Sequence, residues 1–262
     1  MRPRTAAAFT LACCGLSTAL AQVPLDDTPD RPEESAPAPE GVEPVIPLNL
    51  DDPTFDLWRK VREDLAEGRE PGPINIQRFY GGGGWNGIPT FFKLPIALTP
   101  MDLVAGEVDV AILGAHTDMG GGYRGAAWGP NALRASPSYT TWGAFSQAHM
   151  HTMVNPFEEL TIVDYGDAPN DMLSTERTVH AVREMVRDIA SVEFPSGERV
   201  IPIIVGGDHS LMYPDVAALT DVYGKGNVGV IHFDAHYDAS KYVMGHLISH
   251  GQPVCRLIDE GH

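Results

Sequence analysis

Two stretches of sequence decide the fold of this chain: residues 200–210 read VIPIIVGGDHS, and residues 228–238 read VGVIHFDAHYD. Each begins as a short apolar run rich in β-branched residues and ends in acidic and imidazole side chains. Runs without polar alternation are typical of strands that are buried on both faces of a sheet. In a parallel sheet the ends of two such strands meet at one edge, where functional groups gather.

The same pattern extends outward along the chain and predicts an α/β fold. Counted from the amino end, there are four apolar runs: the first (108–113), the second (160–163), the third (200–205) and the fourth (228–233). Between them the sequence predicts an amphipathic helix over residues 175–192 with Ser174 as its N-cap, a helix beginning near Pro130, and a helix after Ser210. Strands that alternate with helices indicate a parallel sheet with helices on both faces.

The polar ends of the third and fourth runs predict a metal site. Alternation along an extended strand would place Asp234, His236 and Asp238 on one side, with His209 arriving from the neighbouring run. Carboxylate and imidazole ligands without thiolate suit divalent ions such as manganese, and carboxylates can bridge two ions. The alternative is that these residues only cap loops and helices. Four candidate ligands on two neighbouring runs favour metal.

These segments also resemble a known family, the ureohydrolases (arginases, agmatinases and related enzymes). Residues 206–210, GGDHS, resemble its first metal motif, and residues 234–238, DAHYD, resemble its second. The segments 87–91 (GIPTF) and 94–95 (LP) are similar to the entry segment of the agmatinase branch. Two further segments, DYGD at 164–167 and SHG at 249–251, are similar to a strand end and to the segment that holds the family's active-site histidine.

The resemblance implies a fold, a reaction and roles for individual residues. The fold would be a three-layer α/β/α arrangement with a parallel sheet, and the cofactor two Mn²⁺ ions, with nickel as a possible substitute. His209 would bind one ion and His236 the other, while Asp234 bridges them and Asp238 completes the first site. A hydroxide shared by the metals would attack the guanidinium carbon of agmatine or a related compound, releasing urea and an amine. His250 would shuttle the proton to the amine, and the resemblance implies a homo-oligomer, a trimer or hexamer.

The sequence departs from the family in one respect. The family's third metal motif, Ser-x-Asp-x-Asp-x-x-Asp-Pro, has no counterpart here, and the expected sheet is truncated before its last strands. Either the sequence is an incomplete record of a longer gene, which we favour, or the protein ends here. We therefore expect residues 1–262 alone to show little hydrolase activity. A non-catalytic ureohydrolase-like subunit and a different metallohydrolase, such as an amide deacetylase, are the alternative functions. The substrate-binding residues are not identifiable from the sequence.

Before the first run the chain has two segments of a different character. Residues 1–21 are typical of a secretory signal peptide, with Arg2 and Arg4 before an apolar stretch and Ala-Leu-Ala at 19–21; an uncleaved anchor is the alternative. Residues 22–56 hold 10 acidic residues and 8 prolines, which predicts a disordered acidic tether. Residues 57–262 then form the ureohydrolase domain, incomplete at its carboxyl end, and we expect an exported protein, periplasmic or secreted.

Charge narrows the class of partner. The formal net charge is −17, which argues against nucleic acid, and against membrane beyond signal-directed export, because both are bound through clustered Lys and Arg. A carboxylate-rich site instead fits a small cationic guanidino substrate.

Overall fold

A computed structural model describes residues 9–11, 67–77, 87–121, 124–136, 148–241, 243, 245–246 and 248–262. The predicted tether (22–56) lies outside the described residues, and so does the predicted signal peptide (1–21) apart from residues 9–11.

Among these residues, the centre of the fold is a sheet of four parallel strands in the order β1-β4-β2-β3. The strands are β1 (Phe9–Leu11), β2 (Val110–Ala115), β3 (Ile162–Asp167) and β4 (Ile201–Gly206). The last three correspond to the first, second and third apolar runs, so these strand predictions are confirmed. All six residues of β2 are buried, as expected for a central strand covered on both faces.

In the described part of the chain, six α-helices connect and cover the strands. They are α1 (Pro100–Ala105), α2 (Gly129–Ala135), α3 (Pro156–Glu159), α4 (Thr175–Ala190), α5 (Met212–Tyr223) and α6 (Pro253–Asp259). The Ser174 hydroxyl accepts a hydrogen bond from the backbone N–H of Arg177 and so caps α4 as predicted. The predicted helices near Pro130 and after Ser210 are confirmed as α2 and α5.

Apolar side chains pack on both faces of the sheet. On one face Leu113 and Ile204 join a core cluster with Val186 and Ile189 of α4. On the other face Ile112 of β2 and Val205 of β4 pack with Phe91 and with Leu133 of α2. Successive strand residues therefore serve opposite faces, and the two helical layers enclose the sheet.

Two buried ion networks fix the segments around the sheet. The Asp102 carboxylate on α1 accepts two hydrogen bonds from Arg69, at 2.7 and 2.6 Å, and a third from the backbone N–H of Gly72. At the end of β3, Arg134 binds both carboxylate oxygens of Asp164 at 2.9 Å and donates to Asp167 at 2.6 Å. The second network ties α2 to the strand end beside the candidate site.

The prediction of a buried strand at the fourth run is wrong. Residues 228–233 form no strand, and the side chains of Ile231 and Phe233 are 83% and 89% exposed. Both edges of β4, the strand next to which the run was predicted, are already paired. One edge carries β2, and the other carries β1, with Thr10 opposite Ile204. Without a free edge the run lacks the backbone partners that a strand requires.

Candidate metal centre

His209 is placed by the turn that follows β4. After Gly206 the chain enters a short 3₁₀ helix, His209–Leu211, and Asp208 caps it by accepting a 2.9 Å hydrogen bond from the backbone N–H of Ser210. The predicted GGDHS segment therefore brings His209 to the carboxyl end of a central strand, and its side chain is only 14% exposed.

Four side chains meet at this strand end: His209, His232, Asp234 and Asp238. One ligand atom from each lies within 4.8 Å of all the others. His209 Nε2 is 3.3 Å from Asp238 Oδ2 and 4.0 Å from Asp234 Oδ2, and His232 Nε2 is 3.3 Å from the same Asp234 oxygen. The two imidazoles stack with ring centroids 5.0 Å apart. Three of the four predicted ligands are thus brought together, with His232 as the fourth member.

The structure does not bring His236 into this cluster. Its side chain is 75% exposed, and its Nδ1 lies 3.7 Å from Asp234 Oδ1, on the outer side of that carboxylate. The chain bends at residues 235–236, and Asp234 Oδ1 accepts the backbone N–H of His236 at 2.9 Å. The expectation that residues 234, 236 and 238 share one side required a strand through the motif, and this bend interrupts it. The metal-ligand role of His236 stays a prediction.

His232 is a member of this cluster, although the family motif that residues 234–238 resemble does not include it. It precedes Asp234 by two residues, so alternation along the chain puts both side chains on one side. This spacing was the available signal. The resemblance outweighed it, because the matching motif assigns ligand roles to 234, 236 and 238 only.

The donor atoms of the cluster suit a bound cation. Among the described residues, both ring nitrogens of His209 and Nε2 of His232 are buried without a well-formed hydrogen bond, although both Nε2 atoms lie 3.3 Å from a carboxylate oxygen. Leaving such atoms unsatisfied costs about 1–3 kcal/mol each, a cost that a coordinated ion would remove. Imidazole nitrogen together with carboxylate oxygen is a ligand set for divalent ions such as manganese, zinc or nickel.

Electrostatics favour the metal-binding protonation states of His209 and Asp234. Burial lowers the pKa of His209 against the opposing pull of the Asp238 and Asp234 carboxylates, so the neutral imidazole is favoured. Burial by itself would raise the pKa of Asp234, but the His236 backbone N–H and the neighbouring imidazoles hold that pKa below its ordinary value. A neutral imidazole and an ionised carboxylate are the forms that coordinate a metal.

His250, the predicted proton shuttle, lies in a loop close to the cluster. Its backbone N–H donates to the carbonyl oxygen of Gly120 at 2.8 Å, and its ring Nδ1 is 3.0 Å from the same oxygen. The Gly120 N–H in turn donates to Asp208 Oδ2 at 2.7 Å. The loop after β2, the GGDHS turn and the SHG segment are therefore joined by hydrogen bonds.

The chain is similar in sequence to known proteins. Mitochondrial agmatinase of Gallus gallus is 31% identical over 176 residues, which are 67% of this chain and 46% of that protein. Guanidinobutyrase of Pseudomonas aeruginosa is 30% identical over 177 residues, 67% of this chain and 51% of that protein. The chain thus spans about half the length of the curated relatives it matches.

Solved structures show the same fold. A hypothetical agmatinase from Burkholderia thailandensis matches with a TM-score of 0.55 and 30% identity, over 73% of this chain and 57% of that chain. Proclavaminate amidino hydrolase from Streptomyces clavuligerus matches with a TM-score of 0.56 and 26% identity, over 69% of this chain and 55% of that chain. The predicted three-layer, arginase-like α/β/α fold is confirmed.

Within the described part of the chain, no helix combines the length and the apolar character needed to span a bilayer. The arginase family model matches residues 108–262, a region that makes up more than half of the chain and contains every member of the metal cluster. The chain therefore belongs to the arginase family.

Proposed function

We propose that this protein is a metal-dependent amidinohydrolase, an enzyme that cleaves agmatine or a related guanidino compound into urea and an amine. The observation that carries the proposal is the cluster of His209, His232, Asp234 and Asp238 at the end of β4, within a chain of the arginase family. The relatives named agmatinase and guanidinobutyrase support the substrate class.

The cluster would hold a divalent ion, with manganese or nickel as the candidates. A bound ion of this kind lowers the pKa of water, so that a nucleophile for the guanidinium carbon exists near neutral pH. We also propose a second ion, which His236 would bind in the complete ligand set. For His236 to bind that ion, the backbone at residues 235–236 would have to lose its bend so that the imidazole turns toward the cluster.

The chain's own residues would bind the substrate cation and handle its protons. Asp234 and Asp238 are 13% exposed as side chains and concentrate negative charge at the strand end, which attracts a guanidinium group. His250 lies beside this edge, and its Nε2 would deliver a proton to the departing amine as a general acid.

The test is urea release from a panel containing agmatine, guanidinobutyrate and guanidine, with Mn²⁺ or Ni²⁺ added. Both the 262-residue chain and any longer product of the same reading frame would be assayed, with Asp238→Asn as the variant that removes a cluster carboxylate. We expect metal-dependent urea release by the longer product and little by residues 1–262. Absence of urea release from the longer product with every substrate and both metals would refute the hydrolase.

A second candidate is a non-catalytic ureohydrolase-like subunit that binds one ion. It is favoured by the position of His236, which leaves a cluster of four ligand atoms around one centre. Calorimetric titration separates the two: tight binding of a single Mn²⁺ by the longer product, without turnover, would favour this candidate.

Two further properties are part of the proposal. We propose that residues 1–21 direct export and are removed, which mass spectrometry of the protein recovered from the medium or periplasm would test; an intact amino terminus there would contradict it. We also propose a homo-oligomer, a trimer or hexamer, and light scattering of the purified protein would measure its mass.

A further inference from the structure

One carbonyl group holds His250 at two points. The Gly120 oxygen accepts the His250 backbone N–H at 2.8 Å and lies 3.0 Å from ring Nδ1. A carbonyl oxygen only accepts hydrogen bonds, so the second contact requires that Nδ1 carry a hydrogen. In the neutral ring Nε2 is then the nitrogen with a free lone pair. The contact therefore selects one tautomer of His250.

Gly120 is also held through its N–H, which lies in the preceding peptide unit, by Asp208. Oδ2 of Asp208 accepts the Gly120 N–H at 2.7 Å, and Oδ1 accepts the Ser210 N–H at 2.9 Å. The backbone N–H of Asp208 donates to the Thr117 carbonyl at 2.9 Å. Asp208 therefore links the loop after β2 to the turn that carries His209 by hydrogen bonds.

The loop also leaves no space for side chains beside the ring. A Cβ on Gly120 would lie 2.8 Å from the Ser210 side chain and 3.0 Å from Asp208 Oδ1. A Cβ on Gly121 would lie 2.7 Å from Nδ1 of His250. Two consecutive glycines thus let the backbone approach the imidazole closely enough for the carbonyl contact.

We infer that Asp208 is a positioning residue for proton transfer by His250. It holds Gly120 through the N–H of that residue, and the Gly120 carbonyl keeps the hydrogen on Nδ1 and leaves Nε2 to take up and release the transferred proton. When the imidazolium gives its Nε2 proton to the leaving amine, one N–H bond breaks on the ring and one forms on the amine. The ring then returns to the Nδ1–H tautomer that the carbonyl favours. The inference rests on the proposed function, which supplies the shuttle role of His250.

The experiment measures the tautomer directly. The 262-residue chain is labelled with ¹⁵N-histidine, and ring nitrogens are observed by long-range ¹H–¹⁵N correlation above the pH at which the imidazole is protonated. His250→Gln identifies the signal by its loss. We expect the unaltered chain to show His250 as the Nδ1–H tautomer, and Asp208→Asn to lose this preference in favour of an Nδ1–H and Nε2–H mixture.

Asp118→Asn is the matched control. The Asp118 carboxylate accepts from Arg124 and from the Gly125 N–H in the same loop, without contacting Gly120. The control should keep the Nδ1–H tautomer. Gly121→Ala is the second test variant, because its Cβ displaces the ring without altering Asp208, and it should lose the tautomer as Asp208→Asn does.

The inference is overturned if His250 in the unaltered chain is the Nε2–H tautomer, or if folded Asp208→Asn keeps the Nδ1–H form. Neither metal nor turnover enters this measurement, so its result is independent of the urea assay. In an active longer product, Asp208→Asn should lower kcat about 10- to 100-fold with little change in KM.

Discussion

Replacing Arg134 with Met should destabilise the protein far more than any surface change of the same chemistry. The Arg134 side chain is 8% exposed and the Asp164 side chain 3%. Its guanidinium forms two parallel bonds to Asp164, one to Asp167 and one to the Gly166 carbonyl, and it stacks on the Phe91 ring at 4.0 Å. Methionine keeps much of the volume and none of these donors.

The expected cost comes from the carboxylate left behind. Asp164 would retain the N–H groups of Phe91 and Gly166 but lose its only charge partner among the described residues. Breaking a buried pair by removing one member costs about 3–5 kcal/mol of unfolding free energy. Arg183→Met is the matched control, because Arg183 binds Asp221 with the same two-bond geometry at 2.8 Å and both side chains are about a quarter exposed. An exposed pair contributes about 0.2–1 kcal/mol.

Urea unfolding followed by circular dichroism at pH 7 measures both costs. With a slope of about 2 kcal/mol per molar urea, a loss of about 4 kcal/mol moves the midpoint by about 2 M, and the control should move it by less than about 0.5 M. Adding Asp164→Asn to Arg134→Met should recover part of the loss, since no buried charge then lacks a partner. Equal midpoint shifts for Arg134→Met and Arg183→Met would refute the reasoning.

Three further outcomes are expected. Burial raises the pKa of Asp102, but its hydrogen bonds outweigh this effect and hold that pKa below the ordinary 3.8. The ionised carboxylate therefore stabilises the fold above pH 3.8, and this stability is lost as the pH falls through the lower pKa of the folded state. Asp102→Asn should destabilise the protein at pH 7 and weaken the dependence of its stability on pH below about 4, which urea midpoints measured at pH 7 and below pH 4 would show. In calorimetric titration of the 262-residue chain, His232→Ala should weaken Mn²⁺ binding at least about tenfold and His236→Ala should not, and the opposite ranking would contradict the cluster geometry. Deleting residues 1–21 frees the edge of β4 that pairs with β1. The fourth run should then pair with that edge, so the exchange of its backbone amide hydrogens should slow. Unchanged exchange would count against competition between β1 and the fourth run for this edge.

Much of the fold was predictable because local pattern and burial agree. The first and third runs are continuous apolar segments, and they form strands that are covered on both faces. The helix α4 was predicted within two residues, since Ser174 marks its start and the apolar spacing matches one helical face. In these segments the periodicity and the capping residues specify the same structure as the tertiary packing.

The fourth run shows where this agreement ends. Its composition is that of a buried strand, but a strand also needs a free neighbouring edge, and composition does not say which segment holds that edge. The pairing of Phe9–Leu11 with β4 joins segments that are far apart in the chain, and no local signal reports it.

The candidate site was predictable in its ligand types and only partly in its geometry. His209, Asp234 and Asp238 were identified from their place after apolar runs, and the structure brings them together. The cluster contains His232 instead of the expected His236, because the motif contains a bend rather than a continuous strand. The Arg134 network left no sequence signature beyond single charged residues, since its members become neighbours only through folding.

The pairing of β1 with β4 also has a consequence for the order of events during synthesis. Thr10 and its partner Ile204 are separated by about 190 residues, which a ribosome takes about 10–40 s to add at ~5–20 residues per second. During that interval residues 9–11 have been made, while the strand with which they pair does not yet exist. A targeting factor that binds residues 1–21 would meet no competition from the fold until the third run has been made. Any factor that binds residues 1–21 in that interval therefore acts before the thermodynamic preference for the sheet edge can.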